Sequence, residues 1–598
     1  MTPKLFPRAL LFSVLALPFV ACEKKAAQGG DAAPIVDAVA VDSTGETDPI
    51  ANPAAVAGGT YTTWGGASPK SLNYWVDPNS FSGGVMGLLF EPLVTLHSTK
   101  DEPVGVVAQS WETSADGKTF TFHLDPRARW SDGQAVTARD FQFYYDVIMD
   151  AKNMTSVFRV GLSRFARPES PDSLTLVVKA KEKHWMNFWE AAGLTAFPEH
   201  AWKGKNFNDL QFDFPVVSGP YAMDEVKRER YISLKRRSDW WGRAKRYNLH
   251  KYNFARVKYR FMEDRNKALE AFKKGPDEGG FDAYPVYTAA LWAEKTGPAD
   301  IPAIADGWVA RKSVYNREPK GFQGFAINLR RPVFQDVRVR TALAHLLNRE
   351  LMNDKLMYNQ YFLLNNYYPD LYPANRNPDA PLINYDPEKA RKLLAEAGWK
   401  PGPDGVLVKD GRRFSISFLT PATDLRHYNV YLEDLKKAGI EAKLEQMSAS
   451  SVGKKVDNHD FDLYWAAWGA GRLRNPEEQW KSSTADETAS YNFPGLKDKE
   501  VDALIAAQKI EDDLGKRNEI LKKLDKRLTD LAPYILLWQA DNTRLLYWNR
   551  FGMPKHVLDK FDREDAIIPY WFVDAEKDRK VHAKEKMPVD TGAVRYAD

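Results

Sequence analysis

Residues 464–480 read YWAAWGAGRLRNPEEQW and gather side chains suited to holding a polar solute. Trp465 and Trp468 offer flat apolar faces, and Gly469, Ala470 and Gly471 leave the backbone open to approach. Arg472 and Arg474 carry guanidinium groups that pair a carboxylate or phosphate bidentately, and Glu477 and Glu478 can meet a cation. A solvated loop is the competing reading for the two arginines. A second polar aromatic run, SDWWGRAKRYN, covers 238–248. Aromatic residues are 13% of the chain, and most must be core, because they bury the largest areas. Those set among Arg, Asn and Gly instead fit a wet, concave ligand cleft. The chemistry indicated is capture rather than bond-making.

Motifs for bond-making are missing. The sequence has no His-Glu-x-x-His, no phosphate-cradling Gly-x-x-x-x-Gly-Lys loop, no Gly-x-Ser-x-Gly and no Gly-x-Gly-x-x-Gly. Ser451-Val-Gly-Lys454 has the Ser-x-x-Lys spacing, and Lys295-Thr296-Gly297 matches the third element of penicillin-recognising enzymes. Their order is reversed and no Ser-Asp-Asn lies between. Gly453 also argues against the helix that would set Lys454 one turn from Ser451. The ten histidines are scattered without metal-ligand spacing, so neither a metal nor a cofactor is expected.

The only cysteine, Cys22, follows the apolar run 9–21, which follows Lys4 and Arg8. This order is that of a secretory signal peptide, and the run is too short to span a bilayer. Phe19-Val20-Ala21-Cys22 resembles the lipobox of bacterial lipoproteins, which implies cleavage before Cys22 and acylation of it. Residues 23–58 contain no aromatic residue and read as a disordered tether behind that anchor. An acylated Cys22 leaves the body without a thiol, which excludes disulfides and thiolate chemistry. The net charge of +4 falls to +2 without Lys4 and Arg8, a near-balance that points away from nucleic acid.

Elements able to position these residues follow from periodicity. KTFTFHL (118–124) and DSLTLVVK (172–179) alternate as strands, with Asp116-Gly117 and Asp132-Gly133 as turns, in an α+β unit over 97–205. From about 320, strands and helices alternate. GFAINL (324–329) is a strand, and Asp336 caps a helix with Val339, Leu343, Leu346 and Leu347 on one stripe. In 385–399, Asp386 is the N-cap, Pro387 the first helical residue and Gly398 the stop. RFSISFLT (413–420), EAKLEQM (441–447) and FDLYWAAW (461–468) are strands, and 428–440 is a helix. One helix is expected over 498–531, then a returning strand PYILLW. On strand 461–468, Trp465 and Trp468 fall on opposite faces, Trp468 toward a ligand and Trp465 toward the core.

Six collinear segments resemble the family 5 extracellular solute-binding proteins of ABC importers, which bind peptides, nickel complexes and related solutes. They are LLFEPLVTL (88–96), AQSWETSADGKTFTFHLDPRARWSDGQAVTARDFQFYYD (108–146), VVSGPYAMDEV (216–226), VFQDVRVRTALAHLLNRELM (333–352), YDPEKARKLLAEAGW (385–399) and APYILLWQ (532–539). Length and aromatic richness look closest to the branch that binds oligopeptides and microcin-C-like peptides. The resemblance implies an α/β fold of the large, two-lobed periplasmic-binding type with an extra α+β domain. The expected parts are a signal peptide 1–21, a tether 22–58, lobe I in 59–96, 206–316 and 536–598, the extra domain 97–205, and lobe II 317–535. It also implies a ligand-binding set of Trp468, Gly469, Ala470, Gly471, Arg472, Arg474 and Glu477 on lobe II, facing Ser80, Phe81 and Ser82 on lobe I. Peptide-binding members often carry an Asp three residues after the Trp to hold the ligand α-ammonium, and this chain has Gly471 there. The implied role is a monomeric, lipid-anchored receptor that passes oligopeptides to a permease and its ATPase subunits. An exported enzyme or chaperone acting on peptides or glycans is the second reading.

Overall fold

Residues 45–596 are described by a computed structural model. The expected alternation in 118–124 becomes strand Thr119–Leu124, with Phe120, Phe122 and Leu124 buried. It lies between Ala108–Thr113 and Thr175–Lys179, and Glu169–Asp172 completes an antiparallel sheet of four. The apolar core behind this sheet runs unbroken into that of a larger one.

The larger sheet has eight strands in the order Thr591–Arg595, Val309–Tyr315, Thr543–Trp548, Ala283–Pro285, Thr60–Trp64, Arg256–Arg260, Tyr231–Arg236 and Tyr221–Lys227. A five-stranded sheet forms the second lobe, in the order Glu441–Gln446, Ser415–Thr420, Leu463–Trp468, Phe322–Ile327 and Tyr534–Leu536. Its two faces bury different helices. Phe325, Phe418 and Leu463 pack with Val337–His345, Pro387–Glu396 and Arg426–Lys437. Ala326, Leu419 and Ala466 pack with Ala449–Asp457, Lys499–Lys509 and Leu514–Leu531. This is the two-lobed α/β architecture that the family resemblance implied, and the helices on both faces of the second sheet are what the alternating pattern requires.

Local signals placed most helix ends. Asp336 and Asp386 accept backbone N–H groups as N-caps, Pro387 opens its helix, and Gly398 adopts a left-handed φ of 91° after its end. Three expectations change. The helix expected over 498–531 is two, because Asp513 accepts the Lys516 amide and starts a new one. Gly453 does not prevent helix Ala449–Asp457, but Ser451 and Lys454 on it are both exposed and the Ser451 hydroxyl is spent on Ser448. The return to lobe I lies at 540–542 rather than 536, since Tyr534–Leu536 and Trp538–Gln539 both pair with lobe II strands. The outward crossing occupies 316–321.

Residues 45–58, expected as the end of a tether 22–58, are tied to the body instead. Cys22 lies outside the described residues, but Ile50 enters the lobe I core and the Gly58 amide donates to the Asn253 carbonyl at 2.8 Å. Asp48 is fully buried beside Lys251 Nζ at 2.9 Å, and accepts from Tyr570 at 2.9 Å and Ser98 at 2.7 Å. Burial works to raise the Asp48 carboxyl, but the Lys251 ammonium and the hydrogen bonds from the Ile50 amide and Ser98 hydroxyl together outweigh it, and the net shift is downward. The rings of Tyr247, Tyr252 and Tyr570 close around the same ammonium. Asp48→Ala leaves that cation buried without its counter-charge. It should cost about 3 kcal/mol or more in a denaturant titration at pH 7, whereas Glu46→Ala, at an exposed carboxylate, should cost less than about 1 kcal/mol.

Candidate functional site

Strand Leu463–Trp468 pairs along its whole length with Phe322–Ile327 on one side. On the other, Ser415–Thr420 meets only Leu463 and Tyr464. Beyond Tyr464 the second edge has no strand neighbour among the described residues, although Ala466 in this run is buried. Ala467, Gly469 and Gly471 are exposed along this run. The outward crossing presses on its end. A Cβ built on Gly321 would lie 1.7 Å from the Trp468 carbonyl oxygen, so only glycine fits there.

The two tryptophans do point to opposite faces, but neither is simply cleft or core. Both are half-buried. The Trp468 indole donates to the Tyr534 hydroxyl at 3.2 Å and packs on Phe493 and the exposed Tyr491, with centroids 5.1 and 5.7 Å away. The Trp465 indole donates to the Gln323 side-chain oxygen at 3.0 Å and meets Trp538 and His427 edge-on.

Charged residues after the strand bridge the lobes. Arg472 reaches across to the loop 97–101 that follows lobe I residue 96, where it donates to the His97 carbonyl at 2.8 Å, the Lys100 carbonyl and the Asp101 carboxylate at 3.0 Å. Its guanidinium stacks on Phe561 at 3.9 Å. Arg474 stays in lobe II, paired with Asp370. Glu477 faces the four-stranded unit, 3.3 Å from His184 Nε2 and 4.0 Å from Arg164, with Lys481 at 3.5 Å on its own helix. These three residues therefore spend their charge inside the protein, and the sequence could not show it, because their partners lie far along the chain. On lobe I, Ser80 is exposed at the start of helix Ser80–Leu89, and Phe81 packs edge-on against Tyr259 and Phe261. Ser82 differs from the expectation: it is fully buried, with its hydroxyl on the Ser71 carbonyl at 2.8 Å.

Next to Glu477, the four-stranded unit clasps the second lobe. The Trp185 indole donates to the Gln508 side chain at 2.8 Å, and Arg517 covers its ring at 4.0 Å. Lys183 pairs with Asp512 and Lys509 with Glu182. Between the lobes, beside both crossings, lies a cavity of about 470 Å³. Arg472 and Arg474 line it, together with residues that no motif singled out: Asp101, Lys320, Asp370, Asp541, Lys560 and Phe561.

The clasp makes a pH prediction. The hydrogen bond with His184 is the main cause that pulls the Glu477 carboxyl from 4.5 down to about 2, against the opposing effect of burial. A carboxyl depressed on folding stabilises fully above its unfolded value and loses that contribution as pH falls through the folded one. Stability should therefore fall from about pH 4.5 toward pH 2. Glu477→Gln should cost up to about 3 kcal/mol at pH 7 and flatten that acid limb, as read by thermal unfolding at a series of pH values. An unchanged acid limb in the variant would contradict this assignment.

A family model described as bacterial extracellular solute-binding proteins, family 5 (middle), matches residues 102–489. Among curated proteins, the chain is 27% identical over 581 residues to YejA of Escherichia coli (strain K12), covering 90% of this chain and 92% of that protein. It is 25% identical to a YejA of Agrobacterium fabrum (strain C58) that is named for peptide binding, over 79% and 83% of the two chains. Among solved structures it superposes on the oligopeptide-binding protein AppA of Bacillus subtilis, solved with a nonapeptide. There the TM-score is 0.67, with 21% identity and coverage of 87% and 99%. Against NikZ of Campylobacter jejuni, solved with Ni(L-His), the TM-score is 0.67 at 20% identity, with coverage of 86% and 99%. With its two lobes, its inter-lobe cavity and a match over most of its length, the chain belongs to the bacterial extracellular solute-binding proteins, family 5.

Proposed function

We propose that the protein is the solute-binding component of an ABC importer that captures oligopeptides or peptide-like solutes between its lobes. The observation that carries this reading is the strand edge beyond Tyr464, which has no strand neighbour among the described residues and leads into Arg472 at the inter-lobe cavity. An extended peptide laid along that edge gains backbone hydrogen bonds without regard to its side chains, which suits a receptor of broad range. The exposed Gly469 and Gly471 continue the edge past Trp468. Closure about 316–321 and 540–542 then traps the solute, and Arg472 and Glu477 hold the lobes together rather than the ligand. The peptide-binding name of the Agrobacterium relative supports the same class of solute.

Delivery would be to a permease and its ATPase subunits at the extracytoplasmic face of a membrane, by a monomeric receptor. No described helix is long and apolar enough to cross a membrane, so attachment would rest on an acylated Cys22. Cys22→Ser should be exported and folded but leave the membrane fraction on washing. Retention of that variant would remove the anchor from the proposal.

Native mass spectrometry on protein purified from its own host should find peptides bound. Refilling the emptied protein with a defined peptide pool should shift tryptophan emission, and Trp468→Phe should remove most of that shift. Trp468→Ala should lower peptide affinity by about 1–3 kcal/mol. Peptide affinity unaffected by Trp468→Ala would move the site away from this edge.

A further inference from the structure

One face of the eight-stranded sheet is covered over only part of its width. Helices Arg265–Lys274 and Ala289–Lys295 pack there against Tyr284, Val309 and Leu546, with Trp64 at the margin. No residue of the next three strands, Arg256–Arg260, Tyr231–Arg236 and Tyr221–Lys227, joins that apolar cluster. The opposite side of the same strands, with Val257, Ile232 and Leu234, is buried in the lobe I core. Pairing sets Arg256 beside Lys235, Lys258 beside Ser233, and both Arg260 and Lys227 beside Tyr231, so these residues share the uncovered face. Arg228 and Arg230 follow, exposed, on the turn between two of the strands.

The carboxylates on this face are already engaged. Asp224 meets Arg256 at 2.9 Å and the Ser233 hydroxyl at 2.8 Å. Glu225 meets Lys227 at 3.2 Å and the Tyr231 hydroxyl at 2.7 Å. Arg230, Lys235, Lys258 and Arg260 form no ion pair among the described residues, and Lys258 has only the Tyr231 ring, 3.9 Å away. Lys258 and Arg260 are half-buried. Burial and then Arg260 hold the Lys258 ammonium below its ordinary value, against the pull of Glu225. Burial and then Arg230 do the same to Arg260. Like charges crowded in this way are costly, and facing anions relieve the cost.

The arrangement favours a surface over a single ion. The unmatched cations spread over three strands and a turn, which suits mobile anions that can follow their spacing. The N-terminal segment also passes this edge of the face, where the Gly59 carbonyl accepts from the Arg256 amide at 3.2 Å. We propose that the basic face of strands 221–260 rests on the anionic phospholipid headgroups of a bilayer. The contact is separate from the solute site. Salt releases it but does not release an acyl chain, so it is told apart from the anchoring at Cys22.

Cys22→Ser protein, washed free of membranes in salt, is mixed with vesicles of phosphatidylcholine alone or of phosphatidylcholine with anionic phosphatidylglycerol, and bound protein is measured by flotation. At low salt, binding to the anionic vesicles should be at least about tenfold greater, and it should be lost in about 0.5 M salt. In the same background, Arg230→Glu with Lys235→Glu, both at exposed positions, should lower binding to the anionic vesicles at least about tenfold with an unchanged melting temperature. Lys392→Glu with Lys436→Glu, exposed on helices of lobe II and equal in net charge, should leave it within about twofold. Equal binding to both kinds of vesicle, or an equal loss in both double variants, would overturn the assignment. Binding to native membrane vesicles but not to vesicles made from their extracted lipid would also overturn it, in favour of an acidic protein face.

Discussion

The closest backbone contact described here joins the link between the lobes to the strand that carries Trp468. Gly321 lies against the Trp468 carbonyl so tightly that no side chain fits. One residue later the chain enters Phe322–Ile327, whose Phe322 pairs with Trp468. The outward crossing and the open strand edge are thus parts of one piece of backbone. A change in how the crossing bends must displace the edge, and a solute that pairs with the edge must constrain the crossing. The rest of the site is arranged around this contact. The return crossing brings Asp541 to the same cavity, and Arg472 leaves the strand end to reach the other lobe.

Electrostatics explains why the cavity can be so polar in a chain with nearly balanced charge. Arg472, Arg474, Lys320 and Lys560 there are each matched by a carboxylate or carbonyl, and the Arg472 pair with Asp101 spans the two sides of the cavity. The clasp between Trp185 and Gln508 follows the same pattern around one buried indole. Separating the lobes would expose Arg472, Asp101 and Glu477 to water together. On the proposed closure, hydration of these groups is exchanged for fixed pairs.

What the sequence made legible was local. Asp386, Pro387 and Gly398 placed a helix because capping is chemistry within one turn of chain. The alternation of Phe120, Phe122 and Leu124 placed a strand for the same reason. The break at Asp513 was hidden because an apolar stripe runs through both helices that it separates. Ser82 looked like a ligand group by type, yet its buried hydroxyl donates to the Ser71 carbonyl. The partners of Arg472 and Glu477 lie hundreds of positions away, at Asp101 and His184, and no spacing rule reaches so far. The segment after Gly45 looked too polar to pack, but a buried lysine among tyrosines gave Asp48 a place in the core.

That placement has a mechanical side. Glu46 lies 3.1 Å from His97 Nε2, and Asp48 holds the Ser98 hydroxyl. The loop 97–101 is also the one whose carbonyls and carboxylate receive Arg472 from the opposite lobe. Residues 46–48 therefore meet the body at the seam, not on the back of either half. On the proposed anchoring through Cys22, a pull on the N-terminal segment would load loop 97–101, the same loop that receives Arg472.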